Sequence, residues 1–175
     1  YLATNLCKDA LINTKAFNCS VVFANANNGE VLISAEERGD KESINIDLIS
    51  TRAQYEPGSS LKIFSIGLAI EQGLLDEKTE YYVEDTIELI ENSCQKDFKG
   101  YKGCYKDFLK HEPYNLSVKE IIERSSNVGT IIATKDLNIN DLEEFLLKFG
   151  FSKKTGIELS GESKGSFDPN KTCTT

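Results

Sequence analysis

The most constraining stretch of this chain runs from Glu56 to about Gln72. Pro57-Gly58 breaks the backbone, and the segment behind it reads as a helix over residues 59–72. Leu61, Ile63, Phe64, Ile66, Leu68, Ala69 and Ile70 surround its axis instead of forming one stripe, so it is expected inside the protein. Gly73 supplies a C-terminal stop. Lys62 is the one charge near the start of this apolar helix. A buried, unpaired ammonium is rare in proteins unless it has work to do.

Ser59 stands one helical turn before Lys62. A Ser at a helix N-terminus points Oγ out of the first turn, and its backbone N–H is one of the unpaired donors there, able to face a developing oxyanion. Burial lowers the pKa of a Lys, so Lys62 can take the proton of a neighbouring hydroxyl. S-x-x-K alone is common and also describes a cap followed by a surface Lys. The Pro-Gly entry and the apolar helix bring the catalytic reading level with that one. A second motif, Ser125-Ser126-Asn127, lies between two helices. Ser125 and Asn127 can present a hydroxyl and a carboxamide to one cleft, although Ser and Asn also favour caps. The two motifs together are much more specific than either one.

The remaining elements are ordinary. Residues 2–15 read as an amphipathic helix carrying Leu2, Leu6, Ala10 and Leu11. Two β-forming runs, 20–24 and 30–34, flank Asn27-Asn28-Gly29, a hairpin signal in which Asn and Gly tolerate positive φ. Residues 35–50 read as a surface connection, and 80–112 as short strands and long loops. Ser117-Val-Lys-Glu120 is a capping box opening a helix over 118–124. A second apolar helix passes through Val128 and Ala133. A third starts at Asn140 and stops at Gly150, and the last 25 residues read as loop with one short strand. No repeat or linker interrupts the chain.

Composition excludes several function classes. With 20 Lys+Arg against 28 Asp+Glu, the net charge of −8 argues against nucleic-acid binding. Only Arg38, Arg52 and Arg124 offer bidentate forks for phosphate. The single His, His111, disfavours a Ser-His-Asp triad and excludes a site built on two histidines. No apolar run reaches the roughly 18–20 residues of a membrane span. The chain has no Met, so Tyr1 is not a natural start, and a signal peptide or anchor could lie upstream. Five cysteines contain no C-x-x-C pair, which speaks against a zinc ribbon or a thioredoxin-like site. Cys94 and Cys104 share a polar segment, where a disulfide would close a short loop; from the residues alone two free thiols are the favoured reading, since connectivity cannot be read from spacing.

These motifs resemble the transpeptidase domain of penicillin-binding proteins, in the penicilloyl-serine transferase group and most closely its class B branch. N-G-E-V-L at 28–32 looks like the opening hairpin. R-A at 52–53 with E-P-G-S-S-L-K-I-F at 56–64 looks like the nucleophile segment, and R-S-S-N-V-G at 124–129 like the second motif. F-G-F-S-K-K-T-G-I-E-L-S-G-E at 149–162, then Gly165, looks like the segment that follows. The resemblance implies an α/β fold, an antiparallel sheet packed against a helical subdomain. It spans about residues 17–166 and makes residues 1–175 a partial domain, incomplete at both ends and truncated before a K-T-G strand. Lys154-Thr155-Gly156 has that strand's spelling, but its context, followed by Ile157-Glu158-Leu159, matches a loop of the family instead. Ser160 stands where that loop usually has Pro. Phe167-Asp168-Pro169-Asn170 also has a family spelling, out of place, and receives no role.

Carried over residue by residue, Ser59 is the acylated nucleophile, Lys62 its base, and Ser125 and Asn127 the S-x-N pair. The implied function is D,D-transpeptidation: crosslinking peptidoglycan stem peptides ending in D-Ala-D-Ala, with β-lactams as covalent traps. No metal or organic cofactor is required. A membrane anchor upstream, divisome or elongation partners, and a place on the periplasmic, outer face of the inner membrane are implied as well. In that compartment disulfides persist, which sets a Cys94–Cys104 disulfide level with two free thiols. Two alternatives share the motifs: a serine β-lactamase, and a β-lactam-binding sensor that does not turn over.

Overall fold

The computed structural model describes residues 1–39, 49–76, 78–95, 103–159 and 161–167. They fall into two compact units, one of Tyr1–Tyr55 with Lys154–Gly165 and one around Glu56–Lys153.

The first unit opens with α1 (Leu2–Thr14), which buries Cys7 and Leu11. It ends where Lys15 turns left-handed at φ 55° and returns its N–H to the Leu11 carbonyl. Behind it, β1 (Asn18–Ala24) and β2 (Val31–Arg38) pair antiparallel, with Val21 opposite Ala35 and Phe23 opposite Ile33. Of the Asn27-Asn28-Gly29 turn only Gly29 takes positive φ, at 75°. The two flanking Asn side chains act through their amide oxygens instead: Asn25 Oδ1 accepts from Asn27 N–H and Asn28 Oδ1 from Glu30 N–H. A Cys7–Cys19 disulfide, Cα atoms 5.4 Å apart, fastens α1 to β1. The sequence did not suggest this pairing, because the two thiols meet only once helix and strand stack.

Residues 35–38 extend β2 rather than joining the connection, and most of that connection, 40–48, lies outside the described residues. The short helix α2 (Ile49–Arg52) is tied to β2 by Glu36, whose carboxylate accepts from the backbone N–H and the hydroxyl of Ser50. The late segment returns to α2: Ser163 N–H reaches the Thr51 carbonyl at 2.8 Å, and Gln54 Nε2 donates to Ser163 Oγ. Gly161 passes so close to Arg52 that an added Cβ would lie 2.4 Å from Nε. The short strand expected near the end is absent among the described residues. Gly156, Gly161 and Gly165 all take positive φ, and such backbone cannot run as a ladder.

The second unit holds a 3-10 turn (Gly58–Leu61), α3 (Lys62–Glu71), α4 (Val118–Arg124), α5 (Asn127–Ala133) and α6 (Ile139–Lys148). Two antiparallel ribbons accompany them: β3 (Glu80–Val83) with β6 (Tyr114–Ser117), and β4 (Thr86–Glu88) with β5 (Cys104–Lys106). Ile66, Ala69, Leu75, Val83, Leu116, Val118, Ile121, Val128 and Ala133 form one core. Each large aliphatic side chain there contributes about 1.5–3 kcal/mol. Phe64 of α3 meets Phe149 and Phe151 edge-on, both at 5.2 Å, which seats α3 beside the end of α6.

Three local features refine the sequence reading. Helix α3 is not covered all round: Ile63 and Ile70 are 57 % and 42 % exposed. The cap of α6 is Asn138, whose side chain accepts from Asn140 N–H, so the helix starts earlier than Asn140. The capping box is as expected, with Ser117 Oγ accepting from Glu120 N–H and Glu120 from Ser117 N–H. Cys94 and Cys104 are bonded, Cα atoms 4.9 Å apart, so the disulfide is the alternative realised. Cys173 and residues 168–170 of F-D-P-N lie outside the described residues.

Candidate active site

Gly58, at φ 59°, turns the chain into the 3-10 segment, and nothing lies within 4 Å of where its Cβ would be. Conformation, not crowding, therefore requires Gly there. In a 3-10 turn the side chains at i and i+3 eclipse, which sets Ser59 and Lys62 on the same side. Ser59 is exposed, and among the described residues its Oγ makes no hydrogen bond. Lys62 is 4 % exposed.

The Lys62 ammonium gives its hydrogen bonds to the second motif: the Ser125 carbonyl at 2.5 Å, Ser125 Oγ at 3.2 Å and Asn127 Oδ1 at 2.6 Å. The structure thus joins Lys62, Ser125 and Asn127 directly, and leaves Ser59 with a free hydroxyl one turn before Lys62. Burial pulls the Lys62 pKa below its ordinary value, and the negative charge of Asp107 partly opposes this.

The S-x-N turn is built by two helix ends. Helix α4 stops with Ser125 left-handed at φ 54°, where a non-glycine residue costs roughly 1–2 kcal/mol. Ser126, 2 % exposed, caps α5: its Oγ accepts from Gly129 N–H at 2.8 Å and donates to Asp107 Oδ2 at 2.8 Å. Asn127 Nδ2 donates to the Lys106 carbonyl at 2.7 Å. An NH2 group must face that carbonyl, so the amide oxygen must face Lys62.

Sequence reasoning missed Asp107. It follows β5, within the region read as strands and loops, and its side chain is 7 % exposed. Oδ1 accepts from the backbone N–H groups of Asn127 (2.6 Å) and Val128 (3.0 Å), and Oδ2 from Ser126 and from His111 Nε2 (3.0 Å). Burial pushes this carboxyl up, but the bonds from Val128, His111, Ser126 and Asn127 outweigh it and hold the pKa below the usual range. No motif marks Asp107, because its partners lie about twenty residues ahead. The Lys106 carbonyl, a backbone group, leaves no sequence signal at all.

Lys154-Thr155-Gly156 is engaged elsewhere. Glu162 accepts from Thr155 N–H (2.6 Å), Thr155 Oγ1 (2.7 Å) and Gly156 N–H (3.2 Å), closing a loop within the first unit. These bonds outweigh a small opposing desolvation and hold the Glu162 pKa low. Among the described residues, no group of three or more His, Cys, Asp or Glu is placed to hold a metal ion.

The chain is similar to known proteins over most of its length. The family described as "Penicillin binding protein transpeptidase domain" matches residues 19–174. Penicillin-binding protein PbpB of Mycobacterium tuberculosis is 29 % identical over 88 % of this chain and 22 % of its own length. Peptidoglycan D,D-transpeptidase FtsI of Buchnera aphidicola is 31 % identical over 67 % of this chain and 18 % of its own. The chain therefore spans about a fifth of the length of these curated relatives. A crystal structure of Mycobacterium tuberculosis penicillin binding protein 3 in complex with aztreonam superposes with a TM-score of 0.75. It is 25 % identical, and the match covers 98 % of this chain and 38 % of that one.

Proposed function

This chain belongs to the penicillin-binding protein transpeptidase family, and from that membership we propose that it carries the acylating half of a peptidoglycan D,D-transpeptidase site. Ser59 attacks the carbonyl of the D-Ala-D-Ala bond, the terminal D-Ala leaves, and an amine of a second stem peptide then takes the acyl group. β-Lactams acylate the same oxygen. Two relatives support this reading, one named a peptidoglycan D,D-transpeptidase and one solved with aztreonam.

The observation that carries the reading is the environment of Lys62. As a neutral amine it keeps two N–H donors and one lone pair. The Ser125 carbonyl and the oriented Asn127 Oδ1 are acceptors only, so they engage the two N–H groups. The lone pair is left for a hydroxyl. Lys62 then takes the Ser59 proton as Oγ bonds to the substrate carbon. Ser125 Oγ, 3.2 Å from Nζ, can pass that proton to the leaving amine. Ser59 N–H supplies one donor to the oxyanion. The protein works in the cell envelope, membrane-anchored on the periplasmic face, with division or elongation machinery as its surroundings.

The test is labelling of the full-length protein by a fluorescent penicillin, together with turnover of a peptide thioester. Labelling at Ser59, thioester turnover and slow deacylation are expected. Rapid hydrolysis of the penicilloyl-enzyme would indicate a β-lactamase, and labelling without thioester turnover a sensor.

A further inference from the structure

The geometry beneath the S-x-N turn points to a device that Ser59, Lys62, Ser125 and Asn127 do not contain. We propose that Asp107 is a positioning residue for acylation. By accepting from Asn127 N–H, Val128 N–H and Ser126 Oγ at once, it fixes the turn that delivers Ser125 and Asn127 to Lys62. The inference rests on Ser59 as nucleophile.

His111 completes the device as a cation. Nδ1 lies 2.9 Å from the Glu112 carbonyl and Nε2 lies 3.0 Å from Asp107 Oδ2. Both partners are acceptors, so both ring nitrogens must donate, which only an imidazolium does. The charge of Asp85 acts on the ring in the same sense as Asp107. Tyr114 stacks on it at 4.2 Å with an interplanar angle of 18°, and Arg124 sits 5.0 Å from the centre of the Tyr114 ring. The Asp107 charge also acts on Lys62. His111 thus offsets a carboxylate that would otherwise favour the protonated Lys62, while that carboxylate stays where the turn needs it.

A purely structural carboxylate and this device respond differently to one substitution. Asp107→Asn keeps an oxygen for the Asn127 and Val128 N–H groups and sets its NH2 against His111. With His111 charged, two donors face each other. With His111 neutral, Nε2 accepts from the new amide, and the conflict is relieved. The experiment measures the second-order rate of penicillin acylation of the full-length protein at pH 5.5 and 8.5, with Ser59→Ala, Asp107→Ala, Asp107→Asn and His111→Gln alongside. Asp107→Ala is expected to lose about 100-fold at both pH values. Asp107→Asn should lose about tenfold at pH 5.5 and recover to within about threefold of wild type at pH 8.5. Adding His111→Gln to Asp107→Asn should abolish that pH dependence, because Gln accepts at either pH.

Losing the Asp107 charge lowers the Lys62 pKa in Asp107→Asn and in the double variant alike, so Asp107→Asn is read as a ratio to the double variant, which carries the same Lys62 change without the His111 conflict. If Asp107→Ala does not fold, the Asp107→Asn ratio decides alone. A flat Asp107→Asn ratio overturns the proposal, as does a folded Asp107→Ala that acylates within about threefold of wild type. Labelling that survives Ser59→Ala would instead sink the assignment of the nucleophile, so the two failures are distinguishable.

Discussion

At the scale of residues, the proposed function asks two incompatible things of Lys62, and its surroundings reconcile them. A stable fold favours the charged ammonium, with three acceptors around it. A base needs the neutral amine, which burial promotes. Lys62→Arg tests the second job. A guanidinium can make the same hydrogen bonds but cannot give up its proton near neutral pH. Penicillin labelling of the full-length Lys62→Arg protein should fall to the level of Ser59→Ala, and near-normal labelling would remove Lys62 as the base. The Asp107–His111 pair makes a second prediction, on stability. The Asp107 pKa is lowered in the fold, so its contribution is present above the unfolded value of about 3.9 and is lost as pH falls through the folded one. For His111, burial lowers the pKa, but the bonds to Glu112 and Asp107 and the nearby charges raise it overall. Its contribution is therefore present below about 6.5 and is lost as pH rises through the folded value. The melting-temperature difference between wild type and His111→Gln should be largest between about pH 4 and 6.5. A difference that grows above that range would contradict the imidazolium.

Among the elements, α5 is the most tightly specified. An added Cβ at Gly129 would lie 2.9 Å from both Ile121 Cγ1 and Ser126 Oγ, so this Gly lets α5 close against α4 and lets Ser126 cap it. Gly129→Ala gains about 1 kcal/mol of helix propensity and incurs roughly 1–3 kcal/mol of overpacking. A net loss of about 0–2 kcal/mol is expected, read by denaturant melting, and a stabilised variant would mean the neighbours yield freely. The elements legible in the sequence are those whose signals are local. The capping box places α4, the Asn-Asn-Gly run places the hairpin, and Pro57-Gly58 places the 3-10 turn that carries Ser59. What stayed hidden depends on distant chain meeting distant chain. Cys7 finds Cys19 only after α1 stacks on β1, and the turn holding Asn127 is aimed by Lys106 and Asp107, twenty residues earlier. The cap of α6 was misread because Asn138 and Asn140 carry the same side chain, and only backbone direction separates them.

For the whole molecule, the decisive question is where the second oxyanion donor lies. In the proposed mechanism Ser59 N–H provides one. The donors of Lys154-Thr155-Gly156, which spell a candidate for the other, are turned onto Glu162 within the first unit. The chain spans about a fifth of the length of these curated relatives, and we propose that the remaining donor lies outside its 175 residues. Hairpin β1–β2 also leaves Val22, Phe23, Leu32 and Ile33 between 46 % and 60 % exposed, an apolar surface that invites edge-to-edge association. Losing one oxyanion donor alone costs roughly 100- to 1,000-fold in rate. The 175-residue chain produced by itself is therefore expected to associate and to take up no fluorescent penicillin over the time in which the full-length protein labels completely. Glu162→Gln in the full-length protein should leave labelling intact while loosening the loop to protease. Stoichiometric labelling of the 175-residue chain would overturn this assignment and move Thr155 and Gly156 into the site. Loss of labelling in Glu162→Gln would point the same way, because the loop would then be serving the chemistry and not only closing on itself.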